Sequence, residues 1–142
     1  MRLAVGTDQR THLTDTVVRY LTERGHQVEQ FEPAAWPDVA RAVGEGVASG
    51  RYDQGVLFCW TGTGVSIAAN KVPGVRAALC PDPETGRGAR KWNDANVLCM
   101  SLRLTSETVA KEILDAWFEA SVDESERENI ERVKALDGAL SE

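Results

Sequence analysis

The sequence of 142 residues has few of the features that mark several large classes of protein. It has no excess of basic residues, since 16 Lys and Arg stand against 22 Asp and Glu for a net charge of −6. This balance disfavours nucleic acid as a partner, although a local group of arginines can still bind a small anion. No apolar run approaches the ~20 residues that cross a bilayer, so we expect no membrane segment.

Cysteine is also scarce. The three cysteines are an odd number without metal-ligand spacing, and the apolar start over residues 1–6 is too short for an export signal. We therefore interpret the cysteines as reduced thiols of a cytoplasmic protein. A chain of this length suits one domain, which we place over residues 1–142.

What is present is a regular alternation of short apolar segments with amphipathic ones. We predict strands over residues 3–5, 27–31, 55–59, 75–80 and 96–100. We predict helices over residues 13–21, 36–48, 66–71, 83–91, 105–120 and 124–139. This alternation indicates an α/β fold, in which five parallel strands carry helices on both faces and the crossovers are right-handed.

In such a sheet, ligands bind at the carboxyl ends of the strands, which selects residues 6–9, 59–66 and 80–83 together with Arg103. The third predicted strand runs there into Cys59-Trp60-Thr61-Gly62-Thr63-Gly64-Val65-Ser66, ahead of a helix. Glycines permit close approach of a ligand, and the first N–H groups of a helix favour an anion or a developing oxyanion. A Gly-x-Gly alone is equally compatible with a tight turn, and the loop lacks the lysine that a Walker nucleotide-binding loop requires.

The loop does not stand alone. It continues as Ser66-Ile67-Ala68-Ala69-Asn70-Lys71-Val72-Pro73-Gly74, and Gly6-Thr7-Asp8 precedes it while Asn93-Asp94-Ala95-Asn96 follows. These stretches strongly resemble the type B ribose-5-phosphate isomerase and galactose-6-phosphate isomerase family over nearly the whole chain.

The resemblance implies a three-layer αβα Rossmann-like domain that needs no metal or organic cofactor. It also implies a homodimer or tetramer with active sites between subunits, in which a C-terminal helix over about residues 123–139 reaches the partner. The implied reaction is aldose–ketose isomerisation of a sugar or sugar phosphate through a cis-enediolate.

The resemblance also assigns roles to residues of this chain. Cys59 matches the base that moves a proton between adjacent carbons, Asp8 matches the aspartate that contacts the sugar, and Thr61 matches a hydroxyl that hydrogen-bonds substrate. The matching substrate-binding positions are Gln9, Trp36, Trp60, Gly62, Thr63, Gly64, Ser66, Trp92, Asn93, Arg103 and Arg132. The loop amides would stabilise the enediolate oxygen, and the two arginines would hold a phosphate, with Arg132 coming from the neighbouring subunit.

Several of these positions depart from the family pattern. Gln9 and Trp92 replace histidines, the second of which opens the sugar ring in the family, and neither glutamine nor indole transfers a proton. Trp36 replaces a tyrosine and Trp60 a glycine, while Glu128 stands where a second phosphate-binding arginine is usual. We expect these three tryptophans at the rim of a pocket that is narrower and less polar than the family's.

Simpler interpretations exist for several of these residues. Cys59 ends a buried strand, where a small thiol is a common core residue, and we expect Cys80 and Cys99 at strand ends as packing residues. His12 either reaches the site from the first loop or is merely solvated. Arg132 either grips a phosphate or pairs with a glutamate of its own acidic helix.

Three functions are consistent with the sequence. An aldose–ketose isomerase acting through Cys59 comes first. The second is a different enzyme on the same scaffold, which would catalyse another enolisation, epimerisation or elimination next to a carbonyl. The third is a non-catalytic ligand-binding protein whose tryptophans have closed or altered the pocket.

Overall fold

The computed structural model describes residues 1–139 and contains the predicted alternation of strands and helices. The strands are β1 (Arg2–Thr7), β2 (Gln27–Gln30), β3 (Gln54–Cys59), β4 (Ala77–Leu79) and β5 (Val97–Ser101). The helices are α1 (His12–Glu23), α2 (Trp36–Ala48), α3 (Thr63–Asn70), α4 (Pro83–Asn93), α5 (Glu107–Glu119) and α6 (Arg127–Ala139), with a 3-10 turn over Glu124–Glu126. None of these helices is long and apolar enough to span a membrane. The last three residues of the predicted domain, 140–142, lie outside the described residues.

The five strands form one parallel sheet in the order β2-β1-β3-β5-β4. This confirms the α/β fold with five parallel strands. β1 and β3 are neighbours although β2 lies between them in sequence, so the direction of winding reverses there. A reversal of this kind opens a crevice at the carboxyl ends of the two strands, where α/β sheets bind ligands.

Helices cover both faces of the sheet and bury two apolar clusters. One cluster packs α1, α4 and α5 on the sheet, with Val17 and Ile113 fully buried. The other packs α2 and α3 on the opposite face around Val43. α2 comes so close that a Cβ on Gly6 would lie 2.7 Å from Cγ2 of Val39. The removal of both clusters from water is the main force that holds the three layers together.

Capping side chains fix the start of three helices at the carboxyl edge of the sheet. Thr11 accepts from the N–H of Thr14 and completes a capping box at α1. Asp82 caps α4 ahead of Pro83, and Ser106 caps α5. Each such cap stabilises a helix by about 1 kcal/mol. The caps also determine where each loop at this edge gives way to a helix.

Several boundaries differ from the predicted ones for identifiable reasons. β4 is shorter than predicted because the N–H of Arg76 donates to Oδ1 of Asn96 at 2.7 Å, rather than to a carbonyl of a neighbouring strand. α3 begins earlier than predicted because Gly62, at φ 78°, turns the chain immediately after β3. The expectation that Cys99 lies at a strand end was wrong, since it is the central residue of β5.

A buried side-chain pair provides a test of the packing. Nε1 of Trp117 donates to Oε1 of Gln54 at 2.7 Å. Trp117→Phe leaves that buried acceptor without its donor, so we expect the free energy of unfolding, measured by denaturant titration, to fall by about 1–3 kcal/mol. The matched change Trp60→Phe, at a ring that is 61% exposed, should cost less than about 0.5 kcal/mol. Equal losses in the two variants would contradict this account.

Candidate active site

The carboxyl ends of β1, β3 and β5 lie side by side and bring a carboxylate next to a thiol. The register pairs Thr7 with Phe58 and Cys59 with Ser101, so Asp8, the residue that follows β1, lies beside Cys59. Neighbouring strands are ~4.8 Å apart. Because side chains alternate along a strand, Asp8 and Cys59 belong to the same face, which α2 and α3 cover.

Hydrogen bonds from the β5 side hold the strand end that carries Cys59. The carbonyl of Cys59 accepts from the N–H of Leu102 at 3.0 Å, and that of Trp60 accepts from the N–H of Arg103 at 3.0 Å. Oγ of Ser101 donates to the same Trp60 carbonyl at 2.9 Å. The main chain at Cys59 is therefore held on the β5 side, and its side chain is 5% exposed. The role of Ser101 in holding the Trp60 carbonyl was not predicted from the sequence. Its position two residues before Arg103 is the feature that could have indicated it.

The glycine turn after β3 presents hydrogen-bond donors beside the thiol. A Cβ on Gly62 would lie 2.6 Å from Cδ1 of Leu79 and 3.0 Å from the main-chain carbon of Met100, so only glycine fits. No side chain caps α3, which leaves the N–H groups of its first turn to other acceptors. The hydroxyls of Thr61 and Thr63 lie 2.7 Å apart at the mouth of the turn. Donors arranged in this way stabilise a developing oxyanion.

Two tryptophans border the turn. A Cβ on Gly64 would lie 3.0–3.3 Å from ring atoms of Trp36, so the absence of a side chain at Gly64 admits the indole. Trp60 projects from the same edge into solvent. Both residues therefore lie at the edge of the sheet that carries the crevice.

Asp8 has an unused acceptor at this edge. Its Oδ1 is buried and has no hydrogen-bond partner among residues 1–139. The neighbouring turn is closed without it, because Oγ1 of Thr7 donates to the carbonyl of Gln9 at 2.8 Å and accepts from its N–H at 3.1 Å. Since buried acceptors in folded proteins nearly always have a donor, this oxygen points to a ligand hydroxyl as its partner.

The other two thiols, Cys80 and Cys99, are fully buried. Burial, assisted by the charge of Asp82, raises the pKa of Cys80 to about 12. Burial also raises the pKa of Cys99 far above that of an ordinary thiol. Ser66, which we expected to contact substrate, lies beside the sulfur of Cys99. Cys80 and Cys99 stay protonated near neutral pH, so neither can serve as a base there.

Trp92, Asn93 and Arg132 lie away from this edge. Trp92 and Asn93 end α4 just before β5 starts, whereas Cys59 is the last residue of β3. In a parallel sheet, the start of one strand and the end of its neighbour lie at opposite edges. Within one chain the structure therefore does not bring Trp92 to the rim that the other two tryptophans form.

A cavity of about 690 Å³ opens at this second edge, between α4 and α6. Its wall is partly apolar and includes Trp92, Asn93, Ile130, Val133 and Leu136. Trp92, Val133 and Leu136 each expose about half of their surface, between 50% and 56%. The residues that resemble one active site thus form two separate groups, one at each edge of the sheet.

The arginines differ in how far they are already paired. Arg103 is exposed at the carboxyl edge and forms no ion pair within residues 1–139. Arg132 is bound by Glu128 at 2.7 Å on its own helix, which is the pairing that the simpler interpretation predicted. Arg103 is therefore the cation beside the crevice that remains open to an anion.

Neither histidine reaches the thiol. Nε2 of His12 lies 3.1 Å from a carboxylate oxygen of Glu107, and its side chain is 79% exposed. His26 lies at the start of β2, where its Nδ1 is 3.2 Å from the amino group of Met1. Within residues 1–139, no group of three or more His, Cys, Asp or Glu is arranged to hold a metal ion.

A doubly wound α/β fold with a thiol, a carboxylate and an uncapped helix start at its switch point defines an enzyme suited to proton transfer next to a carbonyl. A family model described as Ribose/Galactose Isomerase matches residues 3–136. This chain belongs to that family, and it is an isomerase of the aldose–ketose type.

Named relatives and solved structures agree with this assignment. D-erythrulose-4-phosphate isomerase of Pectobacterium atrosepticum is 36% identical over 127 residues, which cover 84% of each chain. Ribose-5-phosphate isomerase B of Escherichia coli is 38% identical over 131 residues, covering 87% of this chain and 85% of that one. The structure of ribose-5-phosphate isomerase B of Clostridium thermocellum superimposes with a TM-score of 0.92 at 33% identity, covering 98% of this chain and 99% of that one.

The glycine turn allows a controlled test of its geometry. Gly62→Ala places a methyl group against Leu79 and the Met100 main chain at a positive φ, so we expect loss of activity and of stability. Gly50→Ala is the matched control, because Gly50 has φ 82° and nothing within 4 Å of a Cβ. In both variants the left-handed backbone conformation should lower the free energy of unfolding by about 1 kcal/mol. Gly62→Ala should lower it by about 1 kcal/mol or more in addition, because the methyl group overpacks the turn. An equal fall in the thermal unfolding temperature of the two variants would contradict the close contact at Gly62.

Proposed function

We propose that this chain interconverts an aldose phosphate and a ketose phosphate through a cis-enediolate, with Cys59 as the base. The observation that carries the proposal is the juxtaposition of Cys59 with an unpartnered carboxylate oxygen of Asp8 and the uncapped start of α3. A thiolate, a proton acceptor for hydroxyls and a set of N–H donors are the three groups that enolisation next to a carbonyl requires.

The proton movements follow from these positions. The Cys59 thiolate removes the proton on C2 of the aldose, the electron pair of that C–H bond forms the C1=C2 double bond, and the π pair of the carbonyl moves onto O1, where N–H donors of the α3 turn stabilise the charge. Asp8 accepts the proton of the O2 hydroxyl and delivers it to O1. The Cys59 thiol then returns its proton to C1, which yields the ketose and restores both groups. The hydroxyl of Thr61 is placed to orient the substrate oxygens.

The phosphate group of the proposed substrate is inferred from the positive charge at this edge and from the names of the relatives. The named relatives act, by their names, on D-erythrulose 4-phosphate and ribose 5-phosphate. Arg103, exposed and unpaired within residues 1–139, is the cation at this edge that would bind the phosphate. Gln9, Trp36 and Trp60 line the approach, and they make the pocket narrower and less polar than histidine, tyrosine and glycine would.

We further propose that the complete site is shared between subunits of a cytoplasmic homodimer or tetramer. Trp92 and Asn93 lie at the opposite edge of the sheet from Cys59, so they contribute to chemistry at Cys59 only from a second copy. The 3-10 turn and α6 would reach the partner, bringing Arg132 to its substrate once Glu128 is displaced. Exposed apolar side chains at both edges, including Trp60 and Leu104 at one and Val133 at the other, support contact between copies.

Hydrogen exchange tests the role of Cys59. In D₂O, sugar phosphates incubated with the protein should incorporate deuterium at the carbon next to the carbonyl, as followed by NMR. Cys59→Ala should abolish exchange and leave the protein folded, and because one buried sulfur is lost the free energy of unfolding should fall by only about 1 kcal/mol. Cys80→Ala is the control that should keep exchange, since Cys80 is a buried thiol outside the proposed chemistry.

Retention of exchange in Cys59→Ala would remove this thiol as the base. Absence of exchange with every sugar phosphate tested would instead favour a binding role for the wild-type chain.

Mixing inactive variants tests the shared site. Cys59→Ala removes the proposed base at one edge of the sheet, and Asn93→Ala removes the side-chain amide at the other edge. Random mixing of the two in a dimer makes half of the dimers hybrid, each with one intact site, so activity should recover to roughly a quarter of the wild-type value. No recovery after unfolding and refolding the mixture would contradict a site built from two chains.

A further inference from the structure

We propose that this enzyme accepts its sugar phosphate only in the open-chain form, which favours a four-carbon substrate with a phosphate on its terminal oxygen. The inference rests on the proposed function and concerns which substrates that site takes. It follows from the number and position of proton-transfer groups in the described part of the chain.

Ring opening requires groups beyond those of isomerisation. A five-carbon aldose 5-phosphate closes by adding its C4 hydroxyl to the C1 aldehyde. To open the ring, a base must take the proton from the O1 hydroxyl while the bond from C1 to the ring oxygen breaks, and an acid must protonate that oxygen. In a four-carbon 4-phosphate the corresponding oxygen carries the phosphate, so no five-membered ring forms and neither group is needed.

At the carboxyl edge, the groups beside the substrate hold no proton that could be given to the ring oxygen. By register Asp8 is the carboxylate next to Cys59, and the isomerisation begins with both groups deprotonated. The Arg103 guanidinium keeps its protons and accepts none. Cys80, at the end of β4, is fully buried and its pKa is raised to about 12, so it is also unavailable.

The two histidines of the sequence lie elsewhere. His12 begins α1 and is held by Glu107 at the start of α5, in the helical layer on the opposite face from Cys59. His26 lies at the amino edge of the sheet, beside the Met1 amino group. Burial, and then the charge of that amino group, lower the pKa of His26.

The second edge adds no free acid or base for this step. Trp92 and Asn93 carry an indole and an amide, which exchange no proton near neutral pH. Of the carboxylates there, Glu126 accepts from Asn129 at 3.0 Å and Asp137 accepts from the N–H of Gly74 at 2.8 Å.

Asp94 at the same edge is occupied too, by Arg90 at 3.0 Å and Arg76 at 3.4 Å. Lys71 lines the cavity as a cation and cannot accept the O1 proton. A cyclic sugar phosphate would therefore depend on its own uncatalysed ring opening before Cys59 could act.

A turnover rate that stops rising with enzyme concentration would reveal dependence on uncatalysed ring opening. Full-length protein is titrated over about a hundredfold range of concentration against three substrates at fixed concentration. These are ribose 5-phosphate, which is cyclic; its 4-deoxy analogue, a five-carbon chain that cannot close; and erythrose 4-phosphate, which is open. The rate of uncatalysed ring opening of ribose 5-phosphate is measured separately by NMR.

We expect turnover of both open-chain substrates to rise in proportion to enzyme. Turnover of ribose 5-phosphate should level off at the uncatalysed ring-opening rate. Proportional increase with ribose 5-phosphate well beyond that rate would overturn the inference, because the protein would then be opening the ring. Rejection of the 4-deoxy analogue alongside ribose 5-phosphate would also overturn it, since chain length rather than ring closure would then decide.

The variants His12→Gln and His26→Gln complete the test. Both should leave all three titrations unchanged, and a selective loss with ribose 5-phosphate in either variant would identify a ring-opening histidine and contradict the proposal. Failure of the proposed function gives a different result, namely no turnover and no deuterium exchange with any of the three substrates.

Discussion

The parallel register of β1, β3 and β5 is the constraint on which the candidate site depends. It sets Asp8 one strand spacing from Cys59 and turns both toward the same face of the sheet. A slip of one residue in either pairing would send one of the two side chains to the opposite layer. Packing opposes such a slip, because α2 contacts the sheet over Gly6 with no space for a Cβ. The geometry of the proposed chemistry is therefore set by the buried sheet rather than by flexible loops.

Close approach of the backbone is the second feature of the site. Gly62 lets the chain turn against Leu79 and Met100 directly after β3, and Gly64 lets Trp36 lie on the same turn. The consequence is that the uncapped start of α3 sits next to the thiol, where its N–H groups act on developing negative charge. The net charge of the protein is negative, so attraction of an anionic substrate depends on these local donors and on Arg103.

The separation of the two residue groups explains how a small chain can build a large site. Proton-transfer groups gather at the carboxyl edge, and an apolar cavity with an indole and an amide lies at the other. If both groups act on one ligand, a second copy must supply the second group. The division also limits the chemistry, because the side chains of the second group exchange no protons and add shape rather than acid–base capacity.

The amino-acid sequence alone predicts the order of strands and helices, the parallel sheet and the edge that carries the candidate site. These follow from local periodicity and from the rule that parallel strands bind ligands at their carboxyl ends. Resemblance to one family added the identities of Cys59, Asp8 and the glycine turn, and the family itself is confirmed.

The folded structure was needed to show which side chains already have partners. It paired His12 with Glu107 and Arg132 with Glu128, and it left an oxygen of Asp8 without a donor in the described chain. Apart from the i,i+4 pair on α6, these outcomes depend on distances between elements far apart in sequence. No local pattern records such distances, because they arise when the two apolar faces of the sheet are buried together.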